Sequence, residues 1–445
     1  MTSIVERPAS IRTIGARPHL ASGPAPATAG GRRASGRLGS RLLPLRPPED
    51  RLILFSALAL VGIGVLEVFS SSAMNFLNTA DGPYGTGRRQ LLYALLGIGV
   101  MLVISQYDYR VWRRLATPAI FVALGLLIAV LLPFVTTDRN LNRAFVVGPV
   151  SVHAAEFAKL ALVLYLADLL SRRGHALDDF RGTILPAGGA ILLCAGLIML
   201  EPDLGTAVVV GVTGFSMLFV GGLPLRWLVP AGLGAALLGV ASIALRSYQS
   251  ARLGGFLDPL SDPTGGTYQT IQGLIGIVSG GITGKGLGSS QLPGASTIPY
   301  AWNDYIFAVI GQELGLVGAA GVLIAFLLIA LRGIGISRKA PDTFGALLAL
   351  GIVVWICGQA MINIGVVLSL LPVTGVPLPL VSQGGSAMVV LLAAIGLLLS
   401  ISRETGSAAE FGGTDARADR GRRDRGTSLP RVRRSPYAPS PRPRS

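Results

Sequence analysis

The rest of the chain is best interpreted as a frame for residues 268–318, which read YQTIQGLIGIVSGGITGKGLGSSQLPGASTIPYAWNDYIFAVIGQELGLVG. A Gly-rich, weakly apolar run passes through GITGKGLGSSQ, and a polar loop then leads into a strongly apolar helix at Asp304. Lys285 is a lone cation among glycines, and Asp304 is a lone carboxylate at the mouth of a hydrophobic span. Charges beside a membrane are costly unless they are solvated or paired, so both are candidate functional residues. Asp304 fits a helix-capping role about equally well, because Asp is favoured at a helix N-terminus.

The composition is that of a polytopic membrane protein. Of the 445 residues, 51% are hydrophobic and 14% are charged, and the mean hydropathy is +0.60. A formal charge of +15 would suggest a nucleic-acid partner for a soluble protein. Here the basic residues concentrate in the tails and on one side of the predicted membrane domain, so we expect contacts with membrane lipids and no nucleic acid. Cys194 and Cys357 lie in apolar runs and indicate neither a disulfide nor a thiolate metal site.

Ten apolar runs predict an all-α fold with about ten transmembrane helices, because a span needs roughly 20 apolar residues. The runs are 52–73, 90–106, 115–135, 155–171, 183–200, 205–222, 226–246, 304–331, 342–371 and 385–402.

Three regions are expected along the chain. Residues 1–50 and 404–445 are basic and lack apolar periodicity, which is typical of disordered tails. Residues 51–403 form the membrane domain, with a large extracytoplasmic loop at 247–303. Outside the tails, the predicted cytoplasmic loops carry 10 Lys and Arg against 7 on the outer side, which favours two cytoplasmic termini.

Most of the polar chemistry falls in segments on the predicted outer face. They are 136–154, the EPDLGT turn at 201–206, the loop 247–303 and the Pro-rich segment 372–384. Their convergence predicts an outward-facing active site. No internal repeat stands out, which disfavours an inverted-repeat transporter.

Two pairs of charged residues are further candidates. Glu156 and Lys159 are three residues apart on a helix and close enough to pair, in either a structural or a cavity-facing role. Glu201 and Asp203 flank a proline and could bind a divalent cation or a sugar hydroxyl. The alternative is that Asp203 caps the following helix while Glu201 is solvated.

Three further expectations concern polar residues near the predicted spans. The glycines around Lys285 suit a pyrophosphate at the membrane surface, although the full spacing of a nucleotide-binding loop is absent. Gln359 and Asn363 are four apart and share a helical face. Glu313 is expected to be protonated or to hydrogen-bond to one of these two amides.

Six motifs, in the same order along residues 52–402, resemble the SEDS family (shape, elongation, division and sporulation), and most closely its FtsW division branch. They are RRQLLYALLG at 88–97, GPVSVHAAEFAKLALVLYLA at 148–167, EPDLGTA at 201–207, YQTIQGLIGIVSGGITGKGLG at 268–288, DYIFAVIGQELGLVG at 304–318 and NIGVVLSLLPVTGVPLPLVSQGGS at 363–386. Members have ten transmembrane helices.

The resemblance implies a peptidoglycan glycosyltransferase in the bacterial cytoplasmic membrane, at the division septum. Such enzymes polymerise lipid II on the outer leaflet, work with a class B penicillin-binding protein that cross-links the strands, and depend on Mg²⁺ or Mn²⁺. Asp304 matches the family's catalytic aspartate, with the expected role of general base, and it is the one candidate metal ligand. The resemblance further implies substrate-cavity or structural roles for a set of polar positions: Arg143, Glu156, Lys159, Glu201, Asp203 and Lys285.

Departures from the family pattern keep two alternatives open. The usual PEAHTD before the catalytic position is PYAWND here, the familiar ARRW and QPSE are NRAF and HAAE, and YGGS is QGGS. A non-catalytic scaffold of the division complex is one alternative. A flippase for the lipid-linked precursor is the other, although it would need a polar path that the sparse intramembrane charges do not suggest.

Overall fold

The computed structural model describes residues 50–72, 84–132, 144–147, 150–174, 176–245, 247–258, 267–291 and 301–423. The chain divides into two units, Met1–Arg41 and Leu42–Ser445, and every described residue belongs to the second.

The described chain is almost entirely helical, as predicted. The helices are α1 (Arg51–Ser72), α2 (Gly85–Gln106), α3 (Arg110–Arg113), α4 (Ala116–Val130), α5 (Ala154–Arg172), α6 (Leu185–Leu200), α7 (Leu204–Val220), α8 (Leu225–Leu245), α9 (Ser247–Leu257), α10 (Tyr268–Gly280), α11 (Ile306–Glu313), α12 (Gly315–Lys339), α13 (Thr343–Val367) and α14 (Ser386–Arg423). One antiparallel hairpin, β1 (Ala144–Val147) with β2 (Val150–His153), pairs Phe145 with Val152.

Seven helical segments in the described part are long and apolar enough to cross a membrane, and α4 and α7 are shorter apolar helices. The protein is therefore a multi-pass membrane protein, in agreement with the predicted fold class. The total of ten spans, the cytoplasmic placement of both termini and the limits of the three regions stay predictions. Helix α14 continues to Arg423, into the region predicted to be a tail.

The helices differ sharply in how much of their surface they bury. In α14, 89% of the apolar window is buried within the protein, against 61% in α13 and 6% in α8. A helix that is apolar all round and packed on every side belongs in the centre of a bundle. Helices α13 and α14 therefore form the core, while the exposed leucines of α8, such as Leu237, suit contact with lipid acyl chains.

The predicted span 304–331 is not one helix. It begins as α11 at Ile306, breaks at Leu314–Gly315, and resumes as α12. Gly315 has a φ of +67°, a left-handed conformation that glycine adopts without steric cost and that ends an α-helix.

The break lets the glycine-rich loop 281–288 dock where the two helices meet. Lys285 N donates to Gln312 O at 3.0 Å, Gly286 N to Glu313 O at 3.0 Å, and Leu316 N to Gly281 O at 2.9 Å. These bonds satisfy backbone groups that the interrupted helix leaves free. Helices α10 and α11 pack side by side, so much of the predicted extracytoplasmic loop is helical structure against the bundle.

Candidate active site

Asp304 lies in the turn that precedes α11, between two anchored aromatic residues. Trp302 and Tyr305 are buried, and the Tyr305 hydroxyl lies 2.9 Å from the Thr270 hydroxyl of α10. Asp304 itself is half-buried. Its side chain does not cap α11, because the residue at the N-cap position is Tyr305. The aromatic residues on either side fix the turn, so the carboxylate position is set by the packed core.

One amide of α13 holds this turn against a second loop. Asn363 Nδ2 donates to the Asp304 carbonyl at 2.7 Å and to the Val376 carbonyl at 2.7 Å. One turn earlier on the same helix, Gln359 Nε2 donates to the Pro377 carbonyl at 3.0 Å. The prediction that the two amides share a helical face is confirmed, and their shared partner is the segment 376–377 rather than a neighbouring helix.

Arg252 of α9 is the residue that the sequence analysis missed. Its Nη1 lies 3.4 Å from the Val373 carbonyl. A Cβ built on Gly375 would lie 3.7 Å from Arg252 Nη1 and 4.0 Å from Asp304 Oδ2. The Arg252 guanidinium and the Asp304 carboxylate therefore both lie next to Gly375. Gly375 has a φ of +72° and no side chain to fill the space between them. Nothing in the sequence pattern set Arg252 apart, because α9 was not predicted.

The protonation of Asp304 is set by two opposing effects. Burial raises the pKa of its carboxyl. A hydrogen bond with the backbone of Asp304 itself and the positive charge of Arg252 each lower this pKa in part. The pKa stays above the usual value for aspartate. A carboxylate with a raised pKa is a stronger base than a solvated one, which suits proton abstraction from a hydroxyl.

A small cavity adjoins this place. Its lining includes Arg252, Thr267, Thr270 and Val373, and its interior volume is about 20 Å³, room for about one water molecule. Thr267 and Thr270 thus share the wall of this cavity with the Arg252 side chain.

The EPDLGT turn at 201–206 packs against the loop that carries Gly375. Asp203 caps α7, since its carboxylate accepts from Thr206 N at 3.0 Å and from Thr206 Oγ1 at 2.9 Å. Glu201 is buried rather than solvated. A Cβ on Gly205 would lie 2.8 Å from the Thr374 carbonyl, so the turn packs tightly against the segment that carries Gly375.

Glu156 and Lys159 form the predicted ion pair at 2.7 Å, and both side chains are buried. Lys159 Nζ also donates to Gln359 Oε1 at 2.8 Å and lies 5.4 Å from the centre of the Trp355 ring. The pair therefore connects to the Asp304 turn through α13 without touching it.

Lys285, a predicted site residue, is not brought to Asp304. The backbone of Lys285 pairs with Gln312, at the opposite end of α11, about 12 Å away along a helix of eight residues. Arg143 lies outside the described residues. The partners predicted for Glu313 were wrong: it accepts from Ser70 and Ser290, not from Gln359 or Asn363.

The comparisons with known proteins agree with one another. The sequence profile of a cell cycle protein family, that of FtsW, RodA and SpoVE, matches residues 50–407. Stage V sporulation protein E of Bacillus subtilis (strain 168) is 38% identical over 356 residues, which cover 80% of this chain and 97% of that protein. A probable peptidoglycan glycosyltransferase FtsW of Nitrosococcus halophilus (strain Nc4) is 38% identical over 370 residues, covering 81% and 93%.

A solved structure shares the fold. It is described as "Structural coordination of polymerization and crosslinking by a peptidoglycan synthase complex", and one of its chains is 30% identical with a TM-score of 0.64. The match covers 79% of this chain and 97% of that one. With the family profile spanning the whole membrane domain and a relative matched along nearly its full length, the chain belongs to the FtsW, RodA and SpoVE family of cell cycle proteins.

Proposed function

We propose that this protein is a peptidoglycan glycosyltransferase that polymerises lipid II into glycan strands at the outer face of the cytoplasmic membrane. The observation that carries the proposal is the convergence of Asp304, Arg252 and Gly375 on one half-buried place. Relatives named probable peptidoglycan glycosyltransferases, matched over 93% of their length, support the same activity. The septum is the proposed site of action.

Asp304 acts as the general base. Its carboxylate takes the proton from the acceptor sugar hydroxyl as the hydroxyl oxygen bonds to the anomeric carbon of the donor. The bond from that carbon to the donor's pyrophosphate breaks, and the lipid pyrophosphate leaves with the electron pair. The Arg252 guanidinium lies beside the reacting groups, where a fixed positive charge stabilises negative charge that develops during transfer.

We further propose that a divalent cation, Mg²⁺ or Mn²⁺, assists the departure of the pyrophosphate leaving group. Within the described residues, no cluster of three or more His, Cys, Asp or Glu side chains could hold a metal alone. Asp304 offers one carboxylate, and Mg²⁺ commonly binds through one or two carboxylates together with substrate phosphates. Such an ion would neutralise charge on the departing pyrophosphate.

A class B penicillin-binding protein is the proposed partner. The solved complex to which this chain is similar couples polymerization and crosslinking, by its own description. Because polymerised strands need cross-linking by a second enzyme, the same division of labour is proposed for this protein.

The test is polymerisation of purified lipid II by Asp304→Ala and Asp304→Asn variants, each with and without the cognate transpeptidase. We expect a loss of about 100- to 10,000-fold, the usual contribution of a general base. Asp178→Ala, an exposed aspartate paired with Arg226, serves as the matched control and should keep full activity.

Full activity of the Asp304 variants would overturn the assignment of the base. Growth of a strain that carries Asp304→Ala, compared with that of a full deletion, separates an enzyme from a scaffold. If the protein were only a scaffold, the Asp304→Ala variant would restore growth to the deletion strain. Precursor flipping by proteoliposomes tests the flippase alternative.

A further inference from the structure

A cluster of charged side chains lies at the end of the bundle opposite to Asp304. The Arg113 guanidinium carbon is 5.7 Å from the centre of the Phe344 ring, in the first turn of α13. Asn363, which holds the Asp304 turn, lies 19 residues further along the same helix. At 1.5 Å per residue the two places are about 28 Å apart, close to the thickness of the hydrocarbon core of a bilayer. The cluster therefore lies at the other membrane surface, away from the candidate active site.

Two arginines of this cluster share one carboxylate oxygen. Arg113 Nε donates to Asp168 Oδ1 at 2.8 Å, and Arg172 Nε donates to the same oxygen at 2.7 Å. Arg113 Nη2 also lies 3.4 Å from Ser171 Oγ. Asp168 is 4% exposed, whereas the side chains of Arg113 and Arg172 are 41% and 59% exposed. A buried carboxylate thus holds two accessible guanidiniums, the arginine pair, side by side.

The arginine pair carries one positive charge more than its carboxylate balances. Each guanidinium has five N–H donors, and Asp168 accepts one from each. Two like charges held this close repel each other, and an anion bound between them removes the repulsion. A phosphate group is the anion that fits, because the planar forks of two arginines bind its oxygens in pairs.

The charges that surround the arginine pair leave this excess in place. Asp342 accepts from Arg110 Nε at 2.9 Å and also caps α13, and Asp108 lies 3.7 Å from Arg110 Nη1. Arg110 balances one of these two acids. Arg114, which is exposed, supplies a positive charge to offset the other. The surface around the arginine pair is therefore suited to an anionic ligand.

Exposed apolar side chains lie next to Arg113 in the chain. Val111 and Leu115, two residues before and after it, are 55% and 48% exposed. Val122, two helical turns beyond Leu115 and on the same helical face, is 62% exposed. A free phosphate ion would make no contact with this apolar strip, whereas the acyl chain of a lipid would cover it. Two accessible guanidiniums beside an apolar strip at a membrane surface fit an anionic phospholipid.

We propose that Arg113 and Arg172 bind the phosphate of an anionic phospholipid, with one acyl chain of the lipid lying along Leu115 and Val122. Asp168 holds both guanidiniums in position, and their remaining N–H groups donate to the phosphate oxygens. The bound lipid ties α3, α4 and α5 together at the membrane surface. This site is separate from the place proposed for polymerisation, so its test does not depend on the role of Asp304.

Native mass spectrometry of the full-length protein in detergent tests the site, by titration with phosphatidylglycerol and with phosphatidylcholine of the same acyl chains. The wild type should bind phosphatidylglycerol about tenfold more tightly, because choline brings a positive charge to the arginines. Arg172→Gln should remove this preference, and so should Arg113→Gln. Each variant leaves Asp168 with one guanidinium, so the buried carboxylate stays paired. Equal affinity of the wild type for the two lipids would overturn the proposal and favour an acidic protein segment as the occupant.

Arg226→Gln is the matched control. Arg226 is exposed and forms an ion pair with Asp178 in the connection after α5, so the variant removes the same charge from the same end of the bundle. It should keep the preference for phosphatidylglycerol. An equal loss in Arg226→Gln and Arg172→Gln would show a general attraction to anionic lipid and no specific site. Excess inorganic phosphate should not displace the lipid; displacement would identify a soluble phosphate as the occupant.

Thermal unfolding in detergent provides a second readout. Phosphatidylglycerol should raise the unfolding midpoint of the wild type and of Arg226→Gln more than phosphatidylcholine does, because a ligand that binds only the folded state stabilises it. The midpoint of Arg172→Gln should respond equally to the two lipids. Midpoints without added lipid show whether each variant is folded. If phosphatidylglycerol stabilised Arg172→Gln as much as the wild type, the arginine pair would not be the binding site.

Discussion

Asp304 combines two influences that act in opposite directions on its ionisation. Burial raises the pKa of the carboxyl, while the positive charge of Arg252 lowers it, and the net pKa lies above that of a solvated aspartate. A base must be ionised to accept a proton, so activity is present above this raised pKa and is lost as the pH falls through it. The acid limb of the rate profile therefore reports the balance between burial and Arg252.

Replacing Arg252 should shift that balance. In Arg252→Gln the stabilising charge is gone, the pKa of Asp304 rises further, and the acid limb of kcat/KM should move up by about one pH unit. The measurement is the pH dependence of lipid II polymerisation by purified protein. Arg332→Gln, which breaks an ion pair with Asp50 far from this place, should leave the limb unchanged. If Arg252→Gln lowered the rate equally at every pH and left the acid limb of kcat/KM unchanged, Arg252 would not influence the pKa of Asp304.

Single residues were predictable from the sequence where their chemistry was locally conspicuous. Asp304 stood out because it is a carboxylate at the edge of an apolar run, and Glu156 and Lys159 because their spacing places them on one helical face. Glu313 shows the limit: its partner Ser70 lies 243 positions away in the chain. Contacts at such distances depend on which helices pack together, and local patterns carry no information about that.

At the scale of elements, the break between α11 and α12 positions the glycine-rich loop. A Cβ on Gly315 would lie 2.3 Å from Gly284 N and 2.6 Å from the Ile282 carbonyl, in addition to the strain of a left-handed φ. The two backbones approach so closely only because both residues are glycines.

Gly315→Ala should therefore destabilise the protein by at least about 1–2 kcal/mol, the usual cost of a left-handed alanine, with the backbone clash in addition. The measurement is thermal unfolding in detergent. Gly321→Ala lies on the same helix, where nothing within 4 Å would meet the new methyl group, and should be neutral or slightly stabilising. Equal stability of the two variants would show that the close approach is absent.

Helix α13 acts on the Asp304 turn through the Asn363 amide. Asn363→Ala leaves two carbonyls, those of Asp304 and Val376, without their donor, which should cost about 1–3 kcal/mol and slow polymerisation. Unfolding and lipid II turnover measure the two effects. Asn303→Ala, an exposed neighbour of the same turn, should change neither stability nor rate by much. A fully active Asn363→Ala would show that the tether does not matter.

Element bounds were predictable where apolar runs were long. Predicted spans such as 52–73 and 183–200 fall within a few residues of α1 and α6, because lipid requires a continuous apolar stretch. Helices α9 and α10 were missed, since each is 11 to 13 residues long with interspersed polar groups. The break at Gly315 was hidden inside an uninterrupted apolar run, where hydropathy cannot register a change in backbone conformation.

At the scale of the whole molecule, polar groups form a continuous path through the bundle. Glu156 binds Lys159, Lys159 binds Gln359, and Gln359 holds Pro377. The adjoining Val376 and the Asp304 turn share the Asn363 amide. The buried ion pair of α5 is thereby connected to the candidate base by hydrogen bonds and one short loop segment, which predicts that it helps to position the Asp304 turn.

Single and double substitutions of this ion pair separate its structural role from its positioning role. Lys159→Met leaves the Glu156 charge buried and unpaired, and should cost roughly 3–5 kcal/mol. Combining Lys159→Met with Glu156→Gln removes both charges and should restore most of the lost stability, as measured by thermal unfolding. The double variant should still polymerise lipid II slowly, because Gln359 has lost the ammonium that fixes its amide above Pro377. If the double variant were as active as the wild type, the pair would serve only to hold the helices together, and the path to Asp304 would have no functional part in polymerisation.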